Sequence, residues 1–191
     1  MEKVNKKSLI IIDAVLFVLL TALDQFTKVL ATTNLKDQPD FPIIPDVLEL
    51  HYLENYGAAF SMLQNQKIFF IFIAVVILAA ICFVLYKMPA MKKYTALHIL
   101  SSLIAAGAVG NMIDRFKNDF VVDFIYAKFI NFPVFNVADI YITCSAIALF
   151  LVIIFKYKDN DLKFLSVKIK KTRDIDKINQ ENQKSNEHTE E

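Results

Sequence analysis

The chain has 191 residues, of which 55% are hydrophobic, and 21 Lys and Arg stand against 20 Asp and Glu for a formal net charge of +1. A balance this close to zero excludes bulk electrostatic attraction to nucleic acid, and the length fits one domain. With two cysteines, three histidines and no Cys/His cluster, neither a disulfide scaffold nor zinc peptidase chemistry has support.

The charges are unevenly placed. Lys3, Lys6 and Lys7 precede an apolar run over 9–31, which Asp13 interrupts and which carries Asp24 and Lys28 near its far end. Basic residues ahead of an apolar core also describe a secretory signal peptide. The stretch Thr21-Ala22-Leu23-Asp24-Gln25 has no clear small-x-small cleavage pattern, however, and the apolar pattern resumes at Val29-Leu30-Ala31. Residues 9–31 therefore read as an uncleaved first span. Residues 32–66 form a long connection in which Pro39, Pro42 and Pro45 bar a helix at the start. Leu48, Leu50 and Tyr52 then alternate with Glu49, His51 and Leu53, which predicts a short strand with His51 on its surface.

Nineteen uncharged residues over 68–86 and twenty over 94–113 predict a second and a third span, since about 20 residues cross a hydrocarbon core of ~30 Å. Lys87, Lys92 and Lys93 occupy the turn between them, and His98 reads as an interfacial histidine. Ser102, Ala106 and Gly110 recur every four positions, a stripe suited to close helix packing in lipid. Cys82 and Cys144 read as buried apolar residues. A second connection over 115–133 contains Val121-Val122-Asp123-Phe124, and a fourth span covers 134–155, with Pro133 suited to its start. The tail, 159–191, is first basic with interleaved apolar residues, as at an anionic membrane surface. It then becomes rich in Asn, Gln and Glu, as in a disordered segment.

The expected fold is an all-α membrane protein of four transmembrane helices with a small extracytoplasmic β-rich region between spans one and two. Residues 1–158 form the membrane domain and 159–191 a cytoplasmic tail. Lysines mark the N-terminus, the 87–93 turn and the tail, so the positive-inside rule puts both termini in the cytoplasm and the 32–66 and 115–133 connections outside. Seventeen residues separate Lys7 from Asp24 and Asp139 from Lys156. At 1.5 Å per residue each Asp lies about 25 Å from the cytoplasmic boundary. Asn111, eighteen residues past Lys93, reaches the same layer, and Asn55 and Asp123 flank it.

A carboxylate in lipid is costly, which makes an intramembrane Asp a functional candidate. Asp123 and Asp139 are sixteen residues apart across a loop that can fold back and set them side by side. Two close carboxyls share a proton, giving one base and one acid around a water, the requirement for aspartyl hydrolysis of a peptide bond. Two other uses of such residues compete. Proton or ion transport needs carboxylates at several depths, yet Asp13 alone lies deep on the cytoplasmic side. A scaffold would use Asp114 and Arg115 only as a salt bridge.

Five motifs resemble those of the bacterial lipoprotein signal peptidases. They are Asp24-Gln25-Phe26-Thr27-Lys28, Asn55-Tyr56-Gly57-Ala58-Ala59-Phe60, Gly110-Asn111-Met112-Ile113-Asp114-Arg115, Val121-Val122-Asp123-Phe124 and Phe135-Asn136-Val137-Ala138-Asp139. Each is short, but all five in this order are specific, and the resemblance covers 9–155. The resemblance implies a multi-pass plasma-membrane aspartyl endopeptidase that uses no metal or cofactor. It implies cleavage of prolipoproteins on the amino side of a diacylglyceryl cysteine, with membrane lipids as further partners. It also implies a catalytic pair Asp123 and Asp139, with Asn55, Asn111, Arg115 and Asn136 lining the site and Asp24 and Lys28 supporting it. The chain is expected to act as a monomer, and Phe60 and Phe124 are apolar groups available to acyl chains. The chain departs from the pattern at Asp119, where relatives often carry Gly, and in having no Trp.

Overall fold

The computed structural model describes residues 2–57 and 63–165. The expectations for Phe60 and for 166–191 lie outside these residues. Four helices are long and apolar enough to cross a membrane: α1 (Lys6–Leu35), α2 (Lys67–Lys87), α3 (Thr95–Asn118) and α4 (Val137–Lys156). Strands β1 (Phe41–Ile44), β2 (Leu48–Asn55) and β3 (Val121–Tyr126) form one antiparallel sheet in that order.

All four helices occur where apolar length predicts them, but their ends differ. α1 runs three residues earlier and four later than 9–31, because Asn5 caps its start by accepting from the Lys7 N–H at 2.9 Å. α3 continues five residues beyond 113, which places Asp114 and Arg115 on the helix rather than in the connection. α4 starts at Val137, not 134, and Pro133 lies outside it. Phe135 is instead held extended by exchanging backbone hydrogen bonds with Ile125 of β3, at 2.8 and 3.0 Å. The sheet also corrects the expected placement: its third strand comes from the second connection, not from 32–66. Val121 to Tyr126 gives no clean alternation to read, since its first four residues are all buried.

α3 is the hub, with α1, α2 and α4 packed around it. The predicted stripe is buried: Ser102 is 3% exposed, Ala106 0%, and Gly110 is buried with them. Gly107 and Gly110 let the neighbours come close. A Cβ on Gly107 would stand 2.5 Å from the Ala138 carbonyl oxygen of α4, and one on Gly110 would collide with the Asp24 carboxylate of α1. Asp119 ends α3 in the left-handed region, at φ 69°, and binds Lys67 at 2.5 Å. That conformation favours glycine, and Asp is among the few other residues that adopt it.

Several side chains sit differently from expectation. Cys82 and Cys144 are exposed on the outside of the bundle, free of any disulfide. His98 is buried and its Nδ1 meets Asp13 Oδ2 at 2.6 Å, so an interhelical pair replaces both the interfacial histidine and the lone acid. His51 stays partly exposed on its strand, 2.6 Å from Asp40. Phe124 packs in a cluster with Ala31 and Val122.

At the end away from the sheet, the chain start pairs with the α2–α3 turn through Val4 N–H to the Ala90 carbonyl (3.0 Å) and Lys92 N–H to the Glu2 carbonyl (3.2 Å). Leu162 and Phe164 pack there on Met88, Tyr94, Leu97 and Tyr157. The first residues of the predicted tail therefore brace the bundle. Gly107→Ala should lower the melting temperature of the purified protein, because overpacking a tight helix contact costs about 1–3 kcal/mol. Cys82→Ala, on the exposed face, serves as the unchanged control in the same melt.

Candidate active site

At the sheet end, four elements each deliver part of one polar cluster. α1 brings Asp24, Gln25 and Lys28, and α3 brings Asn111, Asp114 and Arg115. The sheet brings Asn55 and Asp123, and the start of α4 brings Asn136 and Asp139. The i, i+4 spacing of Asp24 and Lys28 puts both on the face of α1 that meets α3. Asn111 and Asp114 do the same on α3 at i, i+3.

Lys28 is 3% exposed and ties the first two elements together. Its ammonium lies 3.0 Å from Asp24 Oδ2 and 3.0 Å from Asp114 Oδ2, and it donates to Asn111 Oδ1 at 2.8 Å. The carboxylates have further donors. Asp24 Oδ1 accepts from the Ala138 N–H of α4 at 3.0 Å, and Asp114 Oδ2 from the Val122 N–H of β3 at 3.1 Å. Gln25 Nε2 bridges Asp24 Oδ2 (3.2 Å), Asp114 Oδ1 (3.0 Å) and the Gly110 carbonyl (3.1 Å). A buried ion pair holds only when its remaining hydrogen-bonding capacity is met; here it is met by backbone groups of the elements that carry Asp123 and Asp139.

Asn136 joins these two aspartates. It is the N-cap of α4: its Oδ1 accepts from the Asp139 N–H at 3.1 Å, and Asp139 Oδ2 accepts from the Asn136 N–H at 3.1 Å, a reciprocal capping box. The Asn136 amide also donates to Asp123 Oδ1 at 2.6 Å and to Asn111 Oδ1 at 3.1 Å. Asn55 donates to Asp123 Oδ2 at 2.7 Å, and Asn111 to Asp139 Oδ1 at 2.8 Å. Every oxygen of the pair thus accepts one hydrogen bond. Both aspartates line a cavity of about 310 Å³, together with Asn55, Gly57, Phe70, Asn111, Arg115 and Thr143.

Asp123 is 1% exposed. Burial, and next the charge of Asp139, push its pKa up to about 7 from 3.8, against the bonds from Asn55 and Asn136. Near neutral pH the carboxyl is therefore poised to hold or release a proton. Arg115 makes no ion pair with Asp114 among the described residues. Its Nη2 donates to the Gly57 carbonyl at 3.1 Å and its Nη1 to the Asn111 carbonyl at 3.3 Å. The described residues contain no group of three or more His, Cys, Asp or Glu side chains placed to hold a metal ion.

The cluster brings together all eight residues singled out from the sequence. It adds Asp114, Gln25, Phe70 and Thr143. Asp114 and Gln25 were within reach of sequence reasoning, because each shares a helix face with a residue already chosen. Phe70 and Thr143 had no signal, being ordinary members of apolar runs.

The family model for signal peptidase (SPase) II matches residues 16–155. A lipoprotein signal peptidase of Caldanaerobacter subterraneus subsp. tengcongensis is 46% identical over 135 residues, covering 70% of this chain and 90% of that protein. One from Streptococcus pyogenes serotype M5 is 37% identical over 156 residues, covering 82% and 97%. The fold is similar to a bacterial membrane enzyme solved at 2.3 Å, with a TM-score of 0.69 and 30% identity, covering 83% of this chain and 97% of that one. A second bacterial membrane enzyme, solved at 1.9 Å, gives 0.65 and 31%, covering 76% and 94%.

Lys28→Met should prevent accumulation of folded protein, since it leaves the Asp24 and Asp114 carboxylates buried without their cation. Breaking such a pair costs about 3–5 kcal/mol. The measurement is the yield of monodisperse protein after extraction in a mild detergent; a normal yield with an unchanged melting temperature would count against the clamp.

Proposed function

The chain belongs to the signal peptidase II family and removes signal peptides from prolipoproteins, and from that premise we propose that it is an aspartic peptidase in which Asp123 and Asp139 activate one water. The observation that carries this reading is the doubly shared Asn136, which hydrogen-bonds both carboxyls at the wall of one cavity.

The pair carries one proton, placed on Asp123, the more deeply buried carboxyl. Asp139 then acts as base, taking a proton from the water as its oxygen attacks the scissile carbonyl. Asp123 donates a hydrogen bond to the carbonyl oxygen, where negative charge develops. A proton then passes to the amide nitrogen as the C–N bond breaks. Asn55, Asn111 and Asn136 fix the carboxyls in place through both stages. Asp24 and Lys28 support them from behind.

This multi-pass membrane protein is further read as having the sheet and the dyad outside and both termini in the cytoplasm. The basic residues at the opposite end support that orientation. The substrate is a prolipoprotein whose cysteine carries diacylglycerol, cut on the amino side of that cysteine. Its acyl chains stay in the bilayer, so the bond arrives at a fixed depth, at the level of the Asp123–Asp139 cavity. Residues 1–158 form the catalytic unit, which acts as a monomer among membrane lipids.

Asp123→Asn and Asp139→Asn should each lower turnover of a diacylglyceryl-modified precursor by about a thousandfold, read as loss of the shorter product on a gel, with normal membrane insertion. Turnover by purified Asp139→Asn at the wild-type rate would end the proposal. The pH profile offers a second check. Above about pH 7 Asp123 loses the proton that the mechanism needs, so kcat/KM should fall on the alkaline side with a limb near the raised value. The same shift acts on stability. The folded state binds the proton more tightly than the unfolded one, so this contribution is present below pH 3.8 and is lost as pH rises through about 7.

A further inference from the structure

Among its described side chains α2 has no buried residue, and its body packs mainly against α3. It reaches the polar cluster through one side chain, Phe70, whose ring lies under the Arg115 guanidinium with the Cζ atom 4.6 Å from the ring centroid. That distance is well within the range of a cation–π contact, which is worth most where water is excluded. Phe70 also lines the Asp123–Asp139 cavity.

From Arg115 an unbroken series of hydrogen bonds leads to Asp123. Arg115 Nη2 donates to the Gly57 carbonyl at 3.1 Å, and the Gly57 N–H donates to Asn55 Oδ1 at 2.9 Å. The other end of the Asn55 amide donates to Asp123 Oδ2 at 2.7 Å. The guanidinium has no ion pair among the described residues to fix its plane. Its two hydrogen bonds, at 3.1 and 3.3 Å, run from two different nitrogens to backbone carbonyls of α3 and of the Gly57 turn. Those bonds engage the N–H edge of the guanidinium, and the ring of Phe70 adds a contact to its flat face.

We propose that Phe70 is a positioning residue for the dyad: by fixing the plane of Arg115 it sets the Gly57–Asn55 turn and, through it, the hydrogen bond that Asn55 gives to Asp123. This role rests on the aspartic reading above. It explains why a helix whose residues 68–85 are all apolar and none of them buried is kept against the site, and it makes the placement of α2 against α3 a condition of catalysis. In this scheme Phe70 acts on the dyad through Arg115, and the split between kcat and KM separates that role from direct contact with substrate in the cavity that it lines.

The test compares Phe70→Leu, which keeps an apolar group but removes the π face, with Phe70→Tyr, which keeps it. Both are full-length proteins in detergent assayed on a diacylglyceryl-modified precursor. Phe70→Leu should lower kcat about three- to tenfold with little change in KM. It should also move the alkaline limb of the pH profile upward, because a weakened Asn55 bond no longer favours the charged form of Asp123. Phe70→Tyr should restore both. Wild-type kcat and limb in Phe70→Leu would overturn the proposal. So would a loss in Phe70→Leu that Phe70→Tyr does not rescue, or one that follows the melting temperature while the limb stays fixed. If Asp123→Asn itself kept full activity, the aspartic reading would fail first; if it abolished cleavage while Phe70→Leu behaved as wild type, only the role of Phe70 would fall.

Discussion

A single buried ammonium holds this site together. Lys28 meets carboxylates from two helices, Asp24 and Asp114, and the amide oxygen of Asn111. Two of its neighbours reach onward to backbone N–H groups, Asp24 to Ala138 at the start of α4 and Asp114 to Val122 in β3. Those two backbone positions are each one residue from a member of the dyad. The charge cluster therefore locates Asp139 and Asp123 without touching either. An isolated Lys in such a place would cost several kcal/mol, and so would either acid alone; the arrangement persists because each charge answers another. It also depends on Gly110, since any side chain there would occupy the space of the Asp24 carboxylate.

The same accounting constrains the protonation of the dyad. The cluster contains four acids, Asp24, Asp114, Asp123 and Asp139, and two bases, Lys28 and Arg115. Fully ionised, it would carry a net charge of about −2 in a partly desolvated space, where unanswered charge is penalised steeply. The two cations are already engaged away from Asp123, which receives only amide donors. One proton held between Asp123 and Asp139 reduces the excess by one. It resides more readily on the side most removed from water, in keeping with the rise at Asp123. The pair titrates as a unit, and a shared proton is the starting state that general acid–base hydrolysis needs.

Much of this was legible before any coordinates. Uncharged runs of nineteen and twenty residues can do little but span a membrane, and α2 and α3 lie where they fall. Lysine spacing alone assigns Asp24, Asn111 and Asp139 to one level, and in the structure all three belong to one polar cluster. What could not be read depends on long-range pairing. β3 carries too many apolar residues on both faces to announce itself as a strand. The start of α4 is set by Phe135 pairing with Ile125 across the sheet, not by Pro133. His98 and Asp13 looked like separate residues because nothing local records that they face each other from two helices. Arg115 and Asp114, adjacent in sequence, point to different partners, since neighbours on a helix are separated by about 100°.

The placement of the dyad on two kinds of regular structure has a mechanical consequence. Asp139 is the third residue of a capped helix and Asp123 sits on a strand paired on one side to β2, with Phe135 bonded along the other edge. Neither can drift without breaking backbone hydrogen bonds of the element that carries it. Catalytic groups built on such elements are held more tightly than groups on loops. Around the cavity, side-chain bonds add to this frame: Arg115 of α3 reaches the Gly57 carbonyl, and the Gly57 N–H reaches Asn55, the last residue of β2, which pairs with Val121. Asp123 and Asp139 are thus both fixed by regular structure. Arg115, which reaches this frame from α3 by two hydrogen bonds to backbone carbonyls, has the aromatic ring of Phe70 from α2 against its guanidinium.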